Sequence, residues 1–265
     1  MTDANMTDQP LVASLTDALR DLLDAHCSPA IVRAIESQGA DGPQRDALMS
    51  VLVNSGFADA MVPESQGGAG LSLSQAAPIF ELCGRYLLPV PLSEMIVQRA
   101  TGTKPDLEMT AVLIAAQMAG AMQRVLEMTL QFANDRQQFG RPLGKFQAIQ
   151  HQLAVMAEQA LAARIAAKIG CSAASDVPGR MNAAIAKART SEAAAEVTAL
   201  AHSIHGAIGF TAEHDLQLFT RRLHAWRLQA GSESYWQTVL GQAVLNSPLG
   251  EAGQPNTLDV LRNLS

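Results

Sequence analysis

Apolar residues recur at intervals of three and four along most of the chain, which is the spacing of one face of an α-helix. In the N-terminal part this pattern predicts three short helices within residues 11–57. A further helix is predicted from Ser72 to about Tyr86, because Ser72 and Gln75 have the spacing of a capping box. No segment shows a convincing alternation with a period of two. The pattern therefore predicts an all-α fold.

Longer helices are predicted in the second half of the chain. The helical period continues through five segments, at about 110–134, 149–170, 180–204, 215–228 and 235–244. Between the two halves, the stretch from Leu87 to Leu107 contains three prolines and Gly102, which is typical of irregular backbone. The predicted organisation is an N-terminal helical domain at 1–90, a linker at 91–107, a C-terminal helical domain at 108–248 and a polar tail at 249–265.

The composition agrees with a helical protein and excludes several kinds of partner. Of the 265 residues, 48% are hydrophobic but only 4% are aromatic, and alanine, leucine and methionine supply most of the apolar positions. This mixture disfavours a β-sandwich or a barrel. A formal charge of −6 disfavours a broad surface that binds nucleic acid or an anionic membrane. We therefore expect neither nucleic acid nor a membrane as a partner.

Cysteine usage and the N-terminus bear on metals and on location. Cys27, Cys83 and Cys171 are widely spaced and odd in number, so we expect reduced thiols rather than a disulfide framework or a metal site. The longest apolar stretch, Thr110 to Met122, is too short to span a bilayer. The first residues lack the basic character of a targeting signal. We expect a cytoplasmic protein.

Three separate motifs are more specific than the periodicity. Residues 136–143 read RQQFGRPL, residues 146–151 read FQAIQH, and residues 204–215 read IHGAIGFTAEHD. In order and spacing these motifs closely resemble the C-terminal helical domain of the acyl-CoA dehydrogenases. Residues 62–71, VPESQGGAGL, resemble the corresponding stretch of that family's N-terminal helical domain, although the glycines alone are typical of a plain turn. The resemblance extends over about residues 11–245.

The resemblance implies a flavoenzyme reaction. Members of the family bind FAD and oxidise an acyl-CoA thioester to the 2,3-enoyl product, and they usually pass the electrons to an electron-transfer flavoprotein. A carboxylate removes the α-proton while a hydride leaves the β-carbon, so base, substrate and flavin have to be held in contact.

The resemblance also assigns cofactor contacts to six positions of this sequence. They are Arg136, Phe139, Gln147, Ser203, Gly206 and Ala207. Arg136 matches the arginine that reaches the FAD pyrophosphate of a neighbouring subunit. Taken alone, a helix-end arginine would more simply pair with Asp135, and it is the motif that favours the flavin. Ala207 stands where the family usually has a second glycine, and Ser203 replaces a glutamine. His205 lies in the same motif, and we assign it no catalytic role, because a lone histidine at a helix end is more often structural.

Two features of the family are missing from this sequence. The family places a β-rich middle domain between its helical domains, whereas here only the short linker joins them. The usual catalytic glutamate is also replaced, because residues 228–232 read LQAGS where the family often has a Tyr-Glu-Gly-Thr sequence, and Ala230 takes the position of the base. Some relatives carry the base on the first helix of the C-terminal domain. The matching residue here is approximately Thr110, which is no base either.

Two nearby carboxylates remain as possible substitutes for the missing base. Glu108 precedes Thr110 by two residues, and Glu233 follows Ala230 by three. Exposed, solvated acids are the more ordinary interpretation of both.

The leading hypothesis is therefore a subunit that works with a partner. Some bacterial acyl-CoA dehydrogenases that act on bulky thioesters, including steroid-derived ones, are heteromers with one degenerate chain. The chain would contribute FAD contacts, and a full-length partner would supply the base. One alternative is a flavin-free interaction or scaffold protein. Another is a self-sufficient homomeric dehydrogenase that uses Glu108 or Glu233.

Overall fold

A computed structural model describes residues 9–39, 42–172 and 176–246. Over these ranges the chain forms ten α-helices and one small hairpin. In chain order they are α1 (Gln9–His26), α2 (Pro29–Gln38), α3 (Pro43–Asn54), α4 (Leu73–Arg85), α5 (Leu92–Thr101), α6 (Leu107–Asp135), β1 (Gln137–Gln138), β2 (Arg141–Pro142), α7 (Gln147–Cys171), α8 (Arg180–His205), α9 (Leu216–Leu228) and α10 (Glu233–Leu245). The predicted all-α fold is confirmed. The polar tail predicted at 249–265 lies outside the described residues.

Capping residues explain where the N-terminal helices begin. The Ser28 hydroxyl accepts a hydrogen bond from the Ile31 N–H at the start of α2, at 3.4 Å. At the start of α4 the Ser72 hydroxyl accepts from the Gln75 N–H at 3.3 Å, while the Gln75 side chain accepts from the Ser72 N–H at 2.8 Å. These reciprocal bonds satisfy two N–H groups that a helix start leaves without partners. The predicted capping box is confirmed, as are the three short helices before it.

The prediction of irregular backbone between Leu87 and Leu107 is wrong over α5. Pro91 is the residue just before this helix, where the missing N–H of proline removes no intrahelical hydrogen bond. Gly102 ends the helix with a φ of 73°, a left-handed conformation that favours glycine. The proline and the glycine that suggested a break therefore mark the two ends of a helix with one buried face. The domain boundaries drawn at 90 and 108 remain a prediction.

The long helices of the second half form an antiparallel bundle. α6, α7 and α8 pack against one another, and α9 and α10 cover α8. α8 buries mainly alanines, and such small side chains allow close approach of the helix axes. The hairpin between α6 and α7 was not predicted, because strands of two residues are too short to show a period.

α6 is the central helix of the molecule. Among the described residues it is the one helix long and apolar enough to cross a membrane, but 83% of its most apolar window is buried inside the fold. α6 is thus the core helix of the bundle. The three cysteines are free thiols, as predicted. They are also buried, and burial raises the pKa of each thiol to about 12.

The N-terminal unit contacts the bundle directly, through two glycines. A Cβ added at Gly84 of α4 would lie 1.8 Å from the Gln117 carbonyl oxygen of α6. A Cβ added at Gly120 of α6 would lie 1.9 Å from the Glu81 carbonyl oxygen of α4. At each glycine, the backbone of the other helix occupies the space where a side chain would lie. The backbones of α4 and α6 are therefore in direct contact. In the described part of the chain no further domain lies between the two units.

Ion pairs between α2 and the start of α9 add to this contact. Arg33 binds the Asp215 carboxylate at 2.6 Å, and Glu36 of α2 binds both Arg221 and Arg222. These partners are part-exposed, so each pair contributes modestly to stability. They nevertheless fix the orientation of the N-terminal unit on the bundle without the help of a middle domain.

Adding a methyl group at the glycine contact is expected to separate α4 from α6. We expect Gly120→Ala to lower the free energy of unfolding by about 1–3 kcal/mol, because a backbone carbonyl cannot move aside as a side chain can. Urea denaturation measures this change. Gly241→Ala on α10 is the matched control, since nothing lies within 4 Å of its added Cβ. There the higher helix propensity of alanine should stabilise the protein by about 1 kcal/mol. Equal stabilisation by both variants would contradict the close contact.

Candidate functional site

The hairpin after α6 presents the first motif to solvent. Phe139 and Gly140 form its two-residue turn with φ values of 51° and 78°, as the tightest hairpin turns require. The Leu143 N–H closes the hairpin by donating to the Arg136 carbonyl at 2.8 Å. The turn holds Phe139 in a left-handed conformation that an L side chain rarely adopts. The Phe139 side chain is 92% exposed.

An aromatic pair supports the tip of the hairpin. The ring of Phe146 meets the ring of Phe139 edge-on, with centroids 6.2 Å apart. The Arg141 guanidinium lies over the face of the Phe146 ring, 4.1 Å from its centroid. This is a cation–π arrangement. Phe146 is therefore held between a cation and an exposed ring. The tip of the hairpin therefore presents aromatic rings beside a positive charge.

The Arg136 side chain is exposed at the C-terminal end of α6. Its carboxylate neighbour Asp135 instead accepts a hydrogen bond from Gln131 at 2.8 Å. Over residues 9–39, 42–172 and 176–246 the Arg136 guanidinium has no ion-pair partner. The alternative interpretation, a helix-end arginine paired with Asp135, does not describe this geometry. The guanidinium remains available to an anion.

The remaining predicted cofactor residues lie at the same end of the bundle. Gln147 starts α7 beside the hairpin, and Ser203, Gly206 and Ala207 lie at the C-terminal end of α8. The Gln152 amide of α7 contacts the Ser203 hydroxyl at 3.4 Å, which joins the two helix ends. Gly206 has a φ of 63° and no atom within 4 Å of an added Cβ, so its backbone conformation favours glycine while steric space does not require it.

All six predicted cofactor residues are thus exposed at one end of the bundle, which we call the hairpin end. They are Arg136, Phe139, Gln147, Ser203, Gly206 and Ala207. The structure brings them to one end, and their roles remain predictions.

Histidines and aromatic rings form a layer beneath this surface that the sequence did not predict. His205 stacks on Phe132, with centroids 4.4 Å apart, and the His214 ring meets both at an angle. His202 stacks on Phe210 at 4.1 Å. The His205 Nδ1 faces the Ala201 carbonyl at 2.8 Å, while its buried Nε2 has no partner among the described residues. His205 is a packing group of the turn between α8 and α9.

Acid is expected to destabilise this layer. Burial lowers the pKa of His205 from its ordinary value of 6.5, and the neighbouring His214 and His202 lower it further, against the Ala201 hydrogen bond. Burial also lowers the pKa values of His202 and His224. Below pH 6.5 the unfolded chain therefore binds protons that the folded chain does not, so stability is complete above that pH and falls as the pH decreases.

Thermal denaturation between pH 7 and pH 5 measures this loss. His205→Asn retains a side-chain N–H for the Ala201 carbonyl and removes the titration. Its melting temperature should fall less steeply with acid than that of the unchanged chain. Identical slopes would show that His205 does not contribute.

The position that matches the missing base lies in the loop between α9 and α10, residues 229–232. Ala230 has a φ of 52°, and its carbonyl accepts a hydrogen bond from the Trp236 indole at 2.8 Å. Gly231 has a φ of 93°, and an added Cβ would lie 2.6 Å from the Trp236 ring nitrogen. The loop therefore keeps a constrained shape around a methyl side chain. Ala230 itself cannot accept a proton.

A buried lysine organises the same loop. Lys187 of α8 has no exposed surface. Its ammonium donates to the Arg227 and Gly231 carbonyls at 3.0 Å each, and to the Ser191 hydroxyl at 2.9 Å. All three N–H groups are used, which is what a buried ammonium requires. Burial lowers its pKa to about 8, although nearby Glu233 opposes that shift. The sequence did not predict a role for Lys187, and its one signal there is a lysine on the otherwise alanine-rich buried face of α8.

Each of the two substitute carboxylates lies against an arginine. Burial raises the pKa of Glu233, but its hydrogen bond and ion pair with Arg227 outweigh that effect and hold the pKa below its ordinary value. Glu108 lies 3.6 Å from the Arg180 guanidinium. The hydroxyl of Thr110 donates to the Asp106 carbonyl at 2.6 Å. Both carboxylates are therefore engaged with arginines.

The base position and the hairpin lie at opposite ends of α6. Arg180 contacts Glu108 and also the Tyr235 hydroxyl, at 3.1 Å, so the α9–α10 loop and the start of α6 lie at one end. Arg136 lies 28 residues further along the same helix, which corresponds to about 42 Å at 1.5 Å per residue. A single dinucleotide does not cover that distance. One bound dinucleotide therefore does not contact both ends of this chain.

Comparison with known proteins identifies the bundle. The family described as "Acyl-CoA dehydrogenase, C-terminal domain" matches residues 102–245. The protein named acyl-CoA dehydrogenase IpdE2 from Mycolicibacterium smegmatis is 30% identical over 289 aligned positions, which cover 79% of this chain and 91% of that protein. A match over 79% of the chain is longer than the residues 102–245 matched by the family.

Two solved structures share the fold at low sequence identity. The structure titled Tcur3481-Tcur3483 steroid ACAD G363A variant has a TM-score of 0.77 at 19% identity, covering 88% of this chain and 97% of that one. The ChsE4-ChsE5 complex from Mycobacterium tuberculosis has a TM-score of 0.74 at 16% identity, covering 89% and 98%. At these identities the likeness is one of fold.

Proposed function

The chain belongs to the acyl-CoA dehydrogenase family, and from this premise we propose that it is a subunit of a flavin-dependent acyl-CoA dehydrogenase complex. In this proposal its hairpin end binds the FAD of a full-length partner chain, and the partner supplies the catalytic base and the middle domain. The complex removes hydrogen from the α- and β-carbons of an acyl-CoA thioester. The electrons pass to an electron-transfer flavoprotein.

The residues of the hairpin end fit a flavin dinucleotide. The exposed Arg136 guanidinium suits the pyrophosphate, because its planar fork can donate to two phosphate oxygens at once. Phe139 offers an exposed ring for apolar contact, and Gln147 offers an exposed amide. At Gly206 the open backbone permits close approach, and the Ala207 methyl is exposed beside it. Bound FAD would supply the acceptor for the hydride that leaves the β-carbon.

The observation that carries the proposal is the separation of the two ends. Arg136, which is exposed and has no ion-pair partner in the described residues, lies about 42 Å along α6 from Glu108, and the loop that carries Ala230 lies at the Glu108 end. A flavin held at the hairpin end therefore has to meet its base on another chain. The lowered pKa of Glu233 also supports a catalytic base on the partner chain, because a weaker base is a poorer acceptor for an α-proton.

The substrate class is the finer part of the proposal. The solved structure that names a steroid ACAD, together with the two-chain ChsE4-ChsE5 complex, supports a bulky acyl-CoA, such as a steroid-derived one, and a heteromeric assembly.

The test is co-expression with a full-length member of the same family encoded nearby, followed by absorption spectroscopy. We expect this chain alone to be colourless and the purified complex to be yellow and to oxidise an acyl-CoA. A colourless pair that does not associate would contradict the proposal and favour a flavin-free scaffold. A yellow, active protein from this chain alone would show that it is self-sufficient.

A further inference from the structure

A cleft of about 370 Å³ lies where the N-terminal unit meets the bundle. Its walls are the end of α2, the segment 88–91, the first turn of α5, part of α6 and the second half of α9. We call it the α5 cleft. Its volume falls in the range of about 300–1,000 Å³ that is typical of small-molecule sites. Neither Ala230 nor any of the six residues of the hairpin end lines it.

An amide of α6 reaches this cleft without a partner. Gln117 lines the cleft and is only 8% exposed. Its side chain makes no hydrogen bond with any residue in the described ranges. Neither its amide nitrogen nor its amide oxygen is sealed off inside the fold, so the amide opens into the cleft. Because buried polar groups in folded proteins are normally hydrogen-bonded, this amide has to take its partner from whatever occupies the cleft.

The Glu94 carboxylate carries a charge that no cation of the fold compensates. Glu94 lies in the first turn of α5 and lines the same cleft. It makes no ion pair over residues 9–39, 42–172 and 176–246. Burial raises the pKa of Glu94 above its ordinary value of 4.5, and its own backbone N–H opposes this shift only in part. A cation bound beside this carboxylate would relieve the cost of burying it.

The other charged side chains of the cleft are already engaged. Arg222 binds Glu36 and lies over the Trp226 ring, 5.4 Å from the ring centroid. Arg45 also has a partner. The charge that remains unmet in the cleft is therefore the negative charge of Glu94.

The segment 88–91 adds hydrogen-bond acceptors and an apolar wall. Pro89 and Pro91 have no backbone N–H, and the Leu88 N–H is used, since it donates to the Cys83 carbonyl at 2.8 Å. The backbone of the segment therefore offers carbonyl oxygens and a single remaining N–H. A ligand that fits such a cleft has an apolar body and a head group that donates several hydrogen bonds.

We propose that the α5 cleft binds a small organic cation, a primary ammonium on an apolar ring or chain. The ammonium donates to the Glu94 carboxylate and to the Gln117 amide oxygen, while the apolar body lies against the segment 88–91 and Trp226. An ammonium suits these partners because it has three N–H donors and no acceptor. The contact uses neither FAD nor Arg136, so it does not depend on the proposed function.

Such a ligand joins the two units of the chain. Glu94 belongs to the N-terminal unit, whereas Gln117 and Trp226 belong to the bundle. The unfolded chain does not bring these residues together. Binding should therefore raise the melting temperature of the protein, and the rise should increase with ligand concentration.

Isothermal titration calorimetry of the full chain with cyclohexylammonium and with hexylammonium tests the proposal. We expect saturable binding of at least one of these amines and a matching rise in melting temperature. Cyclohexanol is the matched neutral probe, because it keeps the ring and replaces the ammonium by a hydroxyl. It should bind at least about tenfold more weakly, since hydrogen bonds to charged groups are the stronger ones.

Two substitutions assign the contact to its residues. Glu94→Gln keeps the shape of the side chain and removes its charge, so it should weaken amine binding about tenfold or more. Gln117→Leu removes the amide acceptor and should weaken binding about two- to tenfold. Glu196→Gln is the matched control, because it makes the same charge change on an exposed residue of α8 outside the cleft. It should leave binding unchanged.

Circular dichroism establishes that each variant keeps its helical fold. Failure of both amines to bind saturably at millimolar concentrations would overturn the proposal. So would equal affinity for cyclohexanol, or an amine affinity that stays the same in folded Glu94→Gln or in folded Gln117→Leu.

Discussion

Replacing Arg136 by alanine is expected to weaken FAD binding in the complex with a full-length partner by about 10- to 100-fold, the value of a charge-assisted hydrogen bond to phosphate. The guanidinium is exposed and has no ion-pair partner in the described residues, so its removal costs the folded chain little. The loss should therefore appear in flavin affinity and leave the melting temperature of the chain unchanged. Flavin fluorescence during titration of the apo-complex measures it directly.

Two further variants make this experiment specific. Arg136→Lys should give an intermediate affinity, because an ammonium keeps the charge but cannot donate through a planar fork. Arg20→Ala removes another exposed arginine, one that pairs with Asp17 on α1 at 2.5 Å, and should leave flavin binding unchanged. If Arg136→Ala bound FAD as well as the unchanged complex, the hairpin end would not hold the pyrophosphate.

Replacing Lys187 by methionine is expected to have the largest effect on stability. Methionine fills similar space but leaves the part-buried carbonyls of Arg227 and Gly231 without their donor. Each unpaired group costs about 1–3 kcal/mol, so the free energy of unfolding should fall by roughly 3 kcal/mol or more. Urea denaturation measures the fall, and limited proteolysis within residues 227–233 reports whether the α9–α10 loop has opened.

Lys104→Met is the control for this substitution, since Lys104 lies in the exposed turn before α6. It should change stability by less than about 0.5 kcal/mol, as most surface substitutions do. An unchanged unfolding curve for Lys187→Met would mean that the loop keeps its shape without the ammonium.

The helices were predictable because each buries one face, and burial at intervals of three and four residues is visible in the sequence. α5 was missed for a local reason, since proline and glycine occur both in linkers and at the two ends of a helix, as Pro91 and Gly102 do here. The hairpin was missed because its strands contain two residues each. Periodicity carries no information at that length.

The residues of the candidate site were identified from sequence motifs. The motifs did not predict the geometry of the site. The sequence identifies Arg136 and Ala230 by their positions relative to family motifs, but it does not give the distance between them. The path of α6 shows that they lie at opposite ends of the bundle. Lys187 was missed because its burial depends on carbonyls some forty residues away in the α9–α10 loop. A buried ammonium is defined by tertiary contacts, which no local pattern reports.

The left-handed backbone at Ala230 has a consequence for what that position tolerates. Alanine gains nothing from that conformation, yet Lys187 and Trp236 hold the surrounding carbonyls in place. The shape of the loop is therefore set by side chains outside position 230. A different residue at that position would meet a backbone that is already built.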